Sequence, residues 1–290
     1  MMRTILGILP DALAYGMVLF TISIGLSIMM GLMRVVNLAH GAFAMIGGYL
    51  ASFALTALGV SYPIAILVAV IGTVIVSVPF EFLLYRRIYR RSDELTQILL
   101  TIGITFFVVG VTNYIFGPTS KPIPLPEMLR GPFDLGFRMI PAHRLFVIGC
   151  GVVTAVALWL MIEKTEFGVR LRAAVDNGDM AEALGIRTQI VYSATFALAV
   201  GLAAFGGVVG AELLPVEPFY ALRYMVTFLV VVSVGGAGSV SGAMAASLLL
   251  GLADTTGKYL APDFGEFFFY VAVIVIVYVF PHGLFGKAHS

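Results

Sequence analysis

Long apolar runs without formal charge alternate with short polar segments along this chain. Ala12–Met33 is one such run, and Val35–Phe80 carries no formal charge over its whole length. The second run is long enough for two crossings and is divided by the turn-forming cluster Gly59-Val60-Ser61-Tyr62-Pro63. Leu95–Ser120 follows and ends at Gly117-Pro118. Then come Leu145–Ile162, Thr188–Ala211, Tyr224–Ala253 and Phe267–Phe285. A helix needs about 20 apolar residues to cross about 30 Å of hydrocarbon. Unpaired backbone groups are not tolerated in lipid, so each run is a helix or part of a closed barrel. The runs are continuous rather than alternating with period two, which selects helices. The predicted fold is an all-α polytopic transmembrane bundle of about eight membrane segments, forming a single domain over residues 1–290.

Tyr224–Ala253 is interrupted by Val234-Gly235-Gly236-Ala237-Gly238-Ser239-Val240-Ser241-Gly242. Thirty residues are too few for two full crossings at about 20 residues each. The run therefore predicts two half-helices meeting in mid-membrane, or two short helices in a thinned region. Irregular backbone at such depth is tolerated where it is buried in protein or lines a wet cavity, and broken helices commonly mark transport sites. The spacing Gly238-x-x-x-Gly242 fits close helix packing equally well. On this reading Gly235, Gly236, Gly238, Ser239, Ser241 and Gly242 line a pathway, pack helices together, or do both.

Composition agrees with the runs. Hydrophobic residues make up 60% of the chain, charged residues 11%, and the mean hydropathy is +1.03. A soluble domain carries about 25% charged residues. The net charge of +1 gives no pull toward nucleic acid. The single cysteine, Cys150, excludes an internal disulfide and reads as a small buried hydrophobe. Met1–Asp11 has one arginine and no small-residue cleavage pattern, so Ala12–Met33 reads as a retained first helix.

Three polar segments separate the runs: Arg86–Glu94, the proline-rich Thr119–Arg144, and Glu163–Arg187. Basic residues in short loops favour the cytoplasmic side. The Arg86–Arg91 cluster then lies inside, the proline-rich loop (118–144) outside, and 163–187 inside. On this assignment ten of the 17 Lys/Arg face inward: Arg34, Arg86, Arg87, Arg90, Arg91, Lys164, Arg170, Arg172, Arg187 and Lys287. Arg3, Lys121, Arg130, Arg138, Arg144, Arg223 and Lys258 face outward. Parity places the N-terminus outside and the C-terminus inside.

Asn37 and His40 lie where the first two spans join, and would share a helical face at i, i+3. With Gly41 they are candidates for a pathway or gating role; an interhelical hydrogen bond is the alternative for His40. Within 163–187, Val169, Arg172, Ala173 and Asp176 would share a helical face. Gly178 would turn the chain, and Asp179 with Glu182 has the spacing of a capping box. Met180, Ala181 and Leu184 then form a small apolar face before a stop at Gly185. Either the bilayer surface or a cytoplasmic partner covers it. Glu81 pairs with Arg86 or snorkels. Glu212, Glu217 and Asp254 cluster at outer ends, where they contact a ligand or a docking protein, or are simply solvated.

No phosphate loop follows any glycine run, so ATP use requires another chain. His40 and His282 lack a serine-protease pattern around them, and no cofactor or metal site is expected. A stand-alone secondary transporter or channel would need ionisable residues inside the spans, which are charge-free.

Several pieces resemble a known family. They are Asn37-Leu38-Ala39-His40-Gly41 with Met45-Ile46-Gly47-Gly48-Tyr49, the loop ending Ala183-Leu184-Gly185-Ile186, Gly235-Gly236-Ala237-Gly238-Ser239-Val240-Ser241-Gly242-Ala243, and Phe280-Pro281-His282-Gly283-Leu284-Phe285-Gly286. In this order they resemble the branched-chain amino-acid permeases of ABC importers. The resemblance implies a second homologous permease, two cytoplasmic ATP-binding subunits, a periplasmic solute-binding protein and a bacterial inner membrane. It implies that the region holding Arg170, Arg172, Asp176, Met180, Ala181, Leu184, Gly185 and Ile186 couples to the ATPase. Related permeases take up urea, short amides or aromatic acids, so the solute does not follow. Leu214-Pro215-Val216-Glu217-Pro218 and the proline-rich loop are less family-like.

Overall fold

A computed structural model describes residues 2–33, 35–86, 93–134, 139–280 and 283–285. Arg34, Arg87, Arg90, Arg91, Arg138, Pro281, His282, Gly286 and Lys287 lie outside the described residues. Twelve α-helices are described: α1 (Met2–Leu32), α2 (His40–Thr56), α3 (Tyr62–Phe80), α4 (Glu94–Phe116), the single turn α5 (Glu127–Arg130), α6 (Ala142–Lys164), α7 (Glu166–Asp176), α8 (Gly178–Ala183), α9 (Thr188–Val209), α10 (Tyr220–Gly235), α11 (Val240–Leu260) and α12 (Gly265–Val279). Five are long and apolar enough to cross a membrane, and α10 and α12 are shorter apolar helices. The polytopic helical reading holds. The proline-rich loop adds one element the apolar pattern did not predict, a hairpin of β1 (Pro132–Asp134) and β2 (Met139–Pro141), antiparallel with Phe133 opposite Ile140.

Helix α1 is the axis of the bundle. Ala14, Leu19, Phe20, Ile22, Ile24 and Met29 are all fully buried. Helices α3, α4, α6 and α12 instead expose apolar side chains such as Ile75, Phe106, Val153 and Ile274. Lipid tails are as apolar as these residues, so burial does not drive helix association in a bilayer. Close contact between small residues does. Helix α11 runs antiparallel along α1: Gly31 meets Gly238, Gly16 meets Ser247, and Asp11 accepts a hydrogen bond from Tyr259. These contacts run from Asp11 to Gly31 of α1.

The glycine break therefore lies level with the end of α1 rather than half-way along it. Helices α10 and α11 extend past the apolar run at both ends, with 16 and 21 residues, or about 24 and 32 Å at 1.5 Å per residue. The chain turns at Gly236–Ser239, level with the last turn of α1. Gly236 and Gly238 have φ of 91° and 83°, a region open to glycine and costly for other residues.

The broken backbone at depth lies elsewhere. After α1 ends at Leu32, the chain doubles back along it as irregular backbone. Val35 N–H donates to Met29 O at 3.3 Å, and His40 reaches Ile22. Ile22 is ten residues before Leu32, about 15 Å along the helix. Asn37 thus stands before α2 in a re-entrant segment, not on a helical face with His40. The run Val35–Phe80 holds this segment, α2 and α3, rather than two plain crossings.

Candidate pathway and coupling sites

Irregular backbone in an apolar layer must have its polar groups paired. Here side chains from four elements pair the re-entrant segment. Asn37 Oδ1 accepts from Ala39 N–H at 3.0 Å and from Tyr85 O–H at 2.7 Å. Its Nδ2 donates to Met29 Sδ at 3.6 Å. Gln97 Oε1 accepts from Val36 N–H at 3.0 Å. His40 Nε2 donates to Ile22 O at 2.8 Å, and its Nδ1 is buried with no hydrogen-bond partner among the described residues. Asn37 and His40 are 0% and 1% exposed, and Gly41 packs on Ala221 and Phe228 of α10. His40 thus makes the interhelical hydrogen bond that was one of its two readings.

The second group closes the far end of α1. Gly238 N–H donates to Ser27 O at 3.0 Å and Oγ at 3.1 Å. Ser239 Oγ caps α11 by accepting from Gly242 N–H at 3.0 Å. Ser241 is exposed, while Gly235, Gly236 and Gly242 are buried. The C-terminal turn completes the knot, with Leu284 N–H donating to Val234 O at 2.7 Å and Phe285 N–H to Gly235 O at 3.3 Å. These bonds cap carbonyls that the end of α10 leaves open. Both groups lie on the C-terminal half of α1, at Ile22–Met29 and at Ser27–Gly31.

Helices α7 and α8 form an elbow beyond the bundle, at the end where α1 terminates. Thr165 caps α7 and Asn177 caps α8, accepting from Met180 N–H at 3.0 Å. The capping residue is Asn177 rather than Asp179, and Glu182 accepts from Thr188 Oγ1 instead of closing a box. Gly185, at φ 86°, stops the turn. The elbow is fastened inward through Leu171 and Ala174 against Val191, Tyr192 O–H to Ala174 O at 2.9 Å, and Arg172 Nη1 to Ile162 O at 2.6 Å. Arg170 pairs with Glu166 at 2.7 Å on the outer face, where Asp176 is exposed. Ala181 is 2% exposed and faces inward, and Ile186 N–H donates to its carbonyl. Met180 and Leu184 point outward at 58% and 76% exposure.

A chain of contacts joins elbow to re-entrant segment. Next to Tyr192, Ser193 Oγ donates to Glu81 Oε1 at 2.7 Å, which also accepts from Arg86 Nε at 3.1 Å. Glu81–Tyr85 is a π-helical continuation of α3, and such turns cluster at functional sites. It places Arg86 five residues on against Glu81, and Tyr85 against Asn37. Glu81 is paired, as one of its two readings had it. Sequence reading missed Tyr85, Gln97 and Ser193. Buried polar residues at four-residue spacing were the available signal: Thr73, Ser77, Glu81, Tyr85 on one helix, and Gln97, Thr101, Thr105 on the next.

At the opposite end, Ser52 Oγ donates to Pro122 O, and Lys121 N–H and Ser120 Oγ to Val216 O, each at 3.0 Å. These bonds tie the proline-rich loop to α2 and to Leu214–Pro218. Glu217 pairs with Arg223 at 2.9 Å. Asp254 is 5% exposed and bonds Lys258 at 2.6 Å, so simple solvation does not describe it.

A bundle with five helices long and apolar enough to cross a membrane, irregular backbone inside it and an elbow beyond it has the form of a multi-pass membrane protein. Over residues 8–278 the chain matches the family described as branched-chain amino acid transport system / permease component. It belongs to that family and is a permease component of this class of ABC transport system, a multi-pass inner-membrane protein without catalytic activity of its own. It is 27% identical over 293 residues to the Pseudomonas aeruginosa high-affinity branched-chain amino acid transport system permease protein BraD, covering 96% of this chain and 95% of that one. It is 26% identical to LivH of Salmonella typhimurium, covering 92% and 90%. The probable LivH of Methanocaldococcus jannaschii is 24% identical, covering 96% and 92%. No solved structure matches the chain. Family membership implies ATPase and binding-protein partners.

Proposed function

We propose that this chain, paired with a second homologous permease, forms the membrane pathway of an importer for branched-chain or other small amino acids. A periplasmic binding protein delivers the solute, and two cytoplasmic ATP-binding subunits drive transport by docking on α7–α8. The observation that carries this reading is the elbow itself. It is anchored by hydrogen bonds and buried apolar residues on its inner side, yet presents Met180 and Leu184 outward. A rigid lever with an apolar tip suits a protein groove.

ATP binding closes the motor subunits and displaces the elbow. Arg172 passes the movement to the end of α6, and Tyr192–Ser193 passes it to Glu81 and the π-turn. Tyr85 then shifts Asn37 and the re-entrant segment, and the bundle rocks between two packed arrangements. Asn37, His40 and Gly41, with the Gly235–Gly242 turn, border the pathway in this proposal. His40 Nδ1, buried with no hydrogen-bond partner among the described residues, supports it, since a buried acceptor left so costs about 1–3 kcal/mol.

Leu184→Arg and Met180→Glu test the docking. Each is expected to cost about 2 kcal/mol or more of ATPase association, as loss of an interface anchor does. Both side chains are exposed, so insertion and yield stay at wild-type level. Co-purification of the ATP-binding subunits with the tagged permease reads the effect, and undiminished association would remove the coupling proposal. Ala181→Arg is the poorer probe, because it disrupts the elbow from within.

A further inference from the structure

The end of the bundle opposite the elbow holds a cavity of about 360 Å³ between α1, α10, α11 and α12. Asp254, Lys258 and Arg223 line it together with Tyr15, Tyr224 and Phe269. We propose that this cavity is a receiving site for an amino-acid zwitterion with an apolar side chain. Asp254 would hold the ammonium, Arg223 and Lys258 the carboxylate, and the aromatic rings the side chain. This deepens the importer reading and rests on it, because it takes this end as the one where solute arrives.

The charges are arranged for exchange. Asp254 is nine-tenths buried, and Lys258 Nζ, on a half-exposed side chain, bonds it at 2.6 Å. The same ammonium lies 5.2 Å over the Tyr15 ring. Arg223 pairs with Glu217 at 2.9 Å and lies 5.5 Å over the Tyr224 ring. Each cation thus has both a carboxylate and an aromatic face to rest on, so it can turn toward a ligand without losing every partner. The Arg223–Glu217 pair, partly exposed on both sides, is worth little, about 0–1 kcal/mol, whereas the buried Asp254 gives up Lys258 only in exchange for another cation that re-pairs it at once. An incoming zwitterion replaces one pairing: its ammonium takes over Asp254, and its carboxylate takes the released Lys258 and a hydrogen bond from Arg223, which stays paired with Glu217. A lone carboxylate that drew Lys258 away would strip the buried Asp254 of that cation, and a lone ammonium on Asp254 would leave Lys258 without a carboxylate. A buried carboxylate in a membrane bundle is itself a mark of function.

The test uses the assembled transporter in nanodiscs, melted with L-leucine, isovalerate or isoamylamine at equal millimolar concentration. The proposal expects L-leucine alone to raise the melting temperature. Asp254→Asn and Arg223→Gln should each weaken the apparent affinity by about tenfold, as loss of a charged hydrogen bond does, and Asp254→Glu should retain part of it. Arg223 is exposed, so its variant folds even where Asp254→Asn does not. Equal stabilisation by all three compounds, or an L-leucine effect untouched by both variants, would overturn the site. Uptake of labelled L-leucine by the unmodified transporter separates the two levels. Import without this binding pattern leaves the importer standing and removes the receiving site. Absence of both import and stabilisation removes both.

Discussion

Gly242→Val is expected to abolish uptake and to leave little folded protein in the membrane. A Cβ added at Gly242 would lie 2.0 Å from the Gly235 carbonyl oxygen. A Cβ at neighbouring Gly31 would lie 2.0 Å from Gly238 N. These obstacles are backbone, so no rotamer change relieves them. Helices α10 and α11 would have to part at their turn, straining the Gly238–Ser27 bonds and the tail bonds to Val234 and Gly235. Overpacking typically costs about 1–3 kcal/mol, and a clash with backbone puts this site at the upper end. Gly110→Ala is the matched control, since nothing lies within 4 Å of the added carbon. Size-exclusion profiles of the detergent-extracted protein compare the two. Wild-type behaviour of Gly242→Val would mean that the helices are not pressed together there.

Asn37→Leu carries the second large effect. The substitution preserves much of the volume and removes the acceptor of two buried donors, Ala39 N–H and Tyr85 O–H. Each orphaned group costs about 1–3 kcal/mol, so the loss is roughly 2–6 kcal/mol. Tyr85→Phe removes only a donor, and Asn37 keeps its bond to Ala39, so about 1 kcal/mol is expected. If the two side chains act as one unit, Asn37→Leu costs about 1 kcal/mol less in the Tyr85→Phe background than alone. Thermal melting of the four variants closes this cycle. Simple additivity would break the proposed link between π-turn and re-entrant segment.

The class of fold was legible because lipid restricts the choices so severely. Charge-free runs of sufficient length have to be helices, and their order followed directly. What was not legible depended on where backbone breaks. Val35–Ala39 lies in a charge-free run, and nothing in hydropathy separates a re-entrant segment from a helix. Only the partners reveal it, and these come from positions as distant as Tyr85 and Gln97. The glycine run was recognised as a break, and of its two readings the pair of short helices is closer to what is found than two half-helices. The helices on either side continue into polar sequence as far as Tyr220 and Leu260, where an apolar-run count stops. Capping failed by two residues for a similar reason. Asn177 and Asp179 both suit a cap, and only backbone geometry chooses between them. Asp254 looked like a surface charge because sequence shows the solvated end of a helix and not the four elements that close over it.

The central claim is that a separate ATP-hydrolysing chain drives this permease through the α7–α8 elbow. Cysteine cross-linking at Leu184, in a Cys150→Ala background and in intact membranes, tests it most directly. The account expects Leu184→Cys to form a cross-link with the ATP-binding subunit, strengthened or weakened on addition of ATP, and to be shielded from impermeant thiol reagents outside the cell. Labelling of that cysteine from outside, with no cross-link to any ATP-binding subunit, would contradict it.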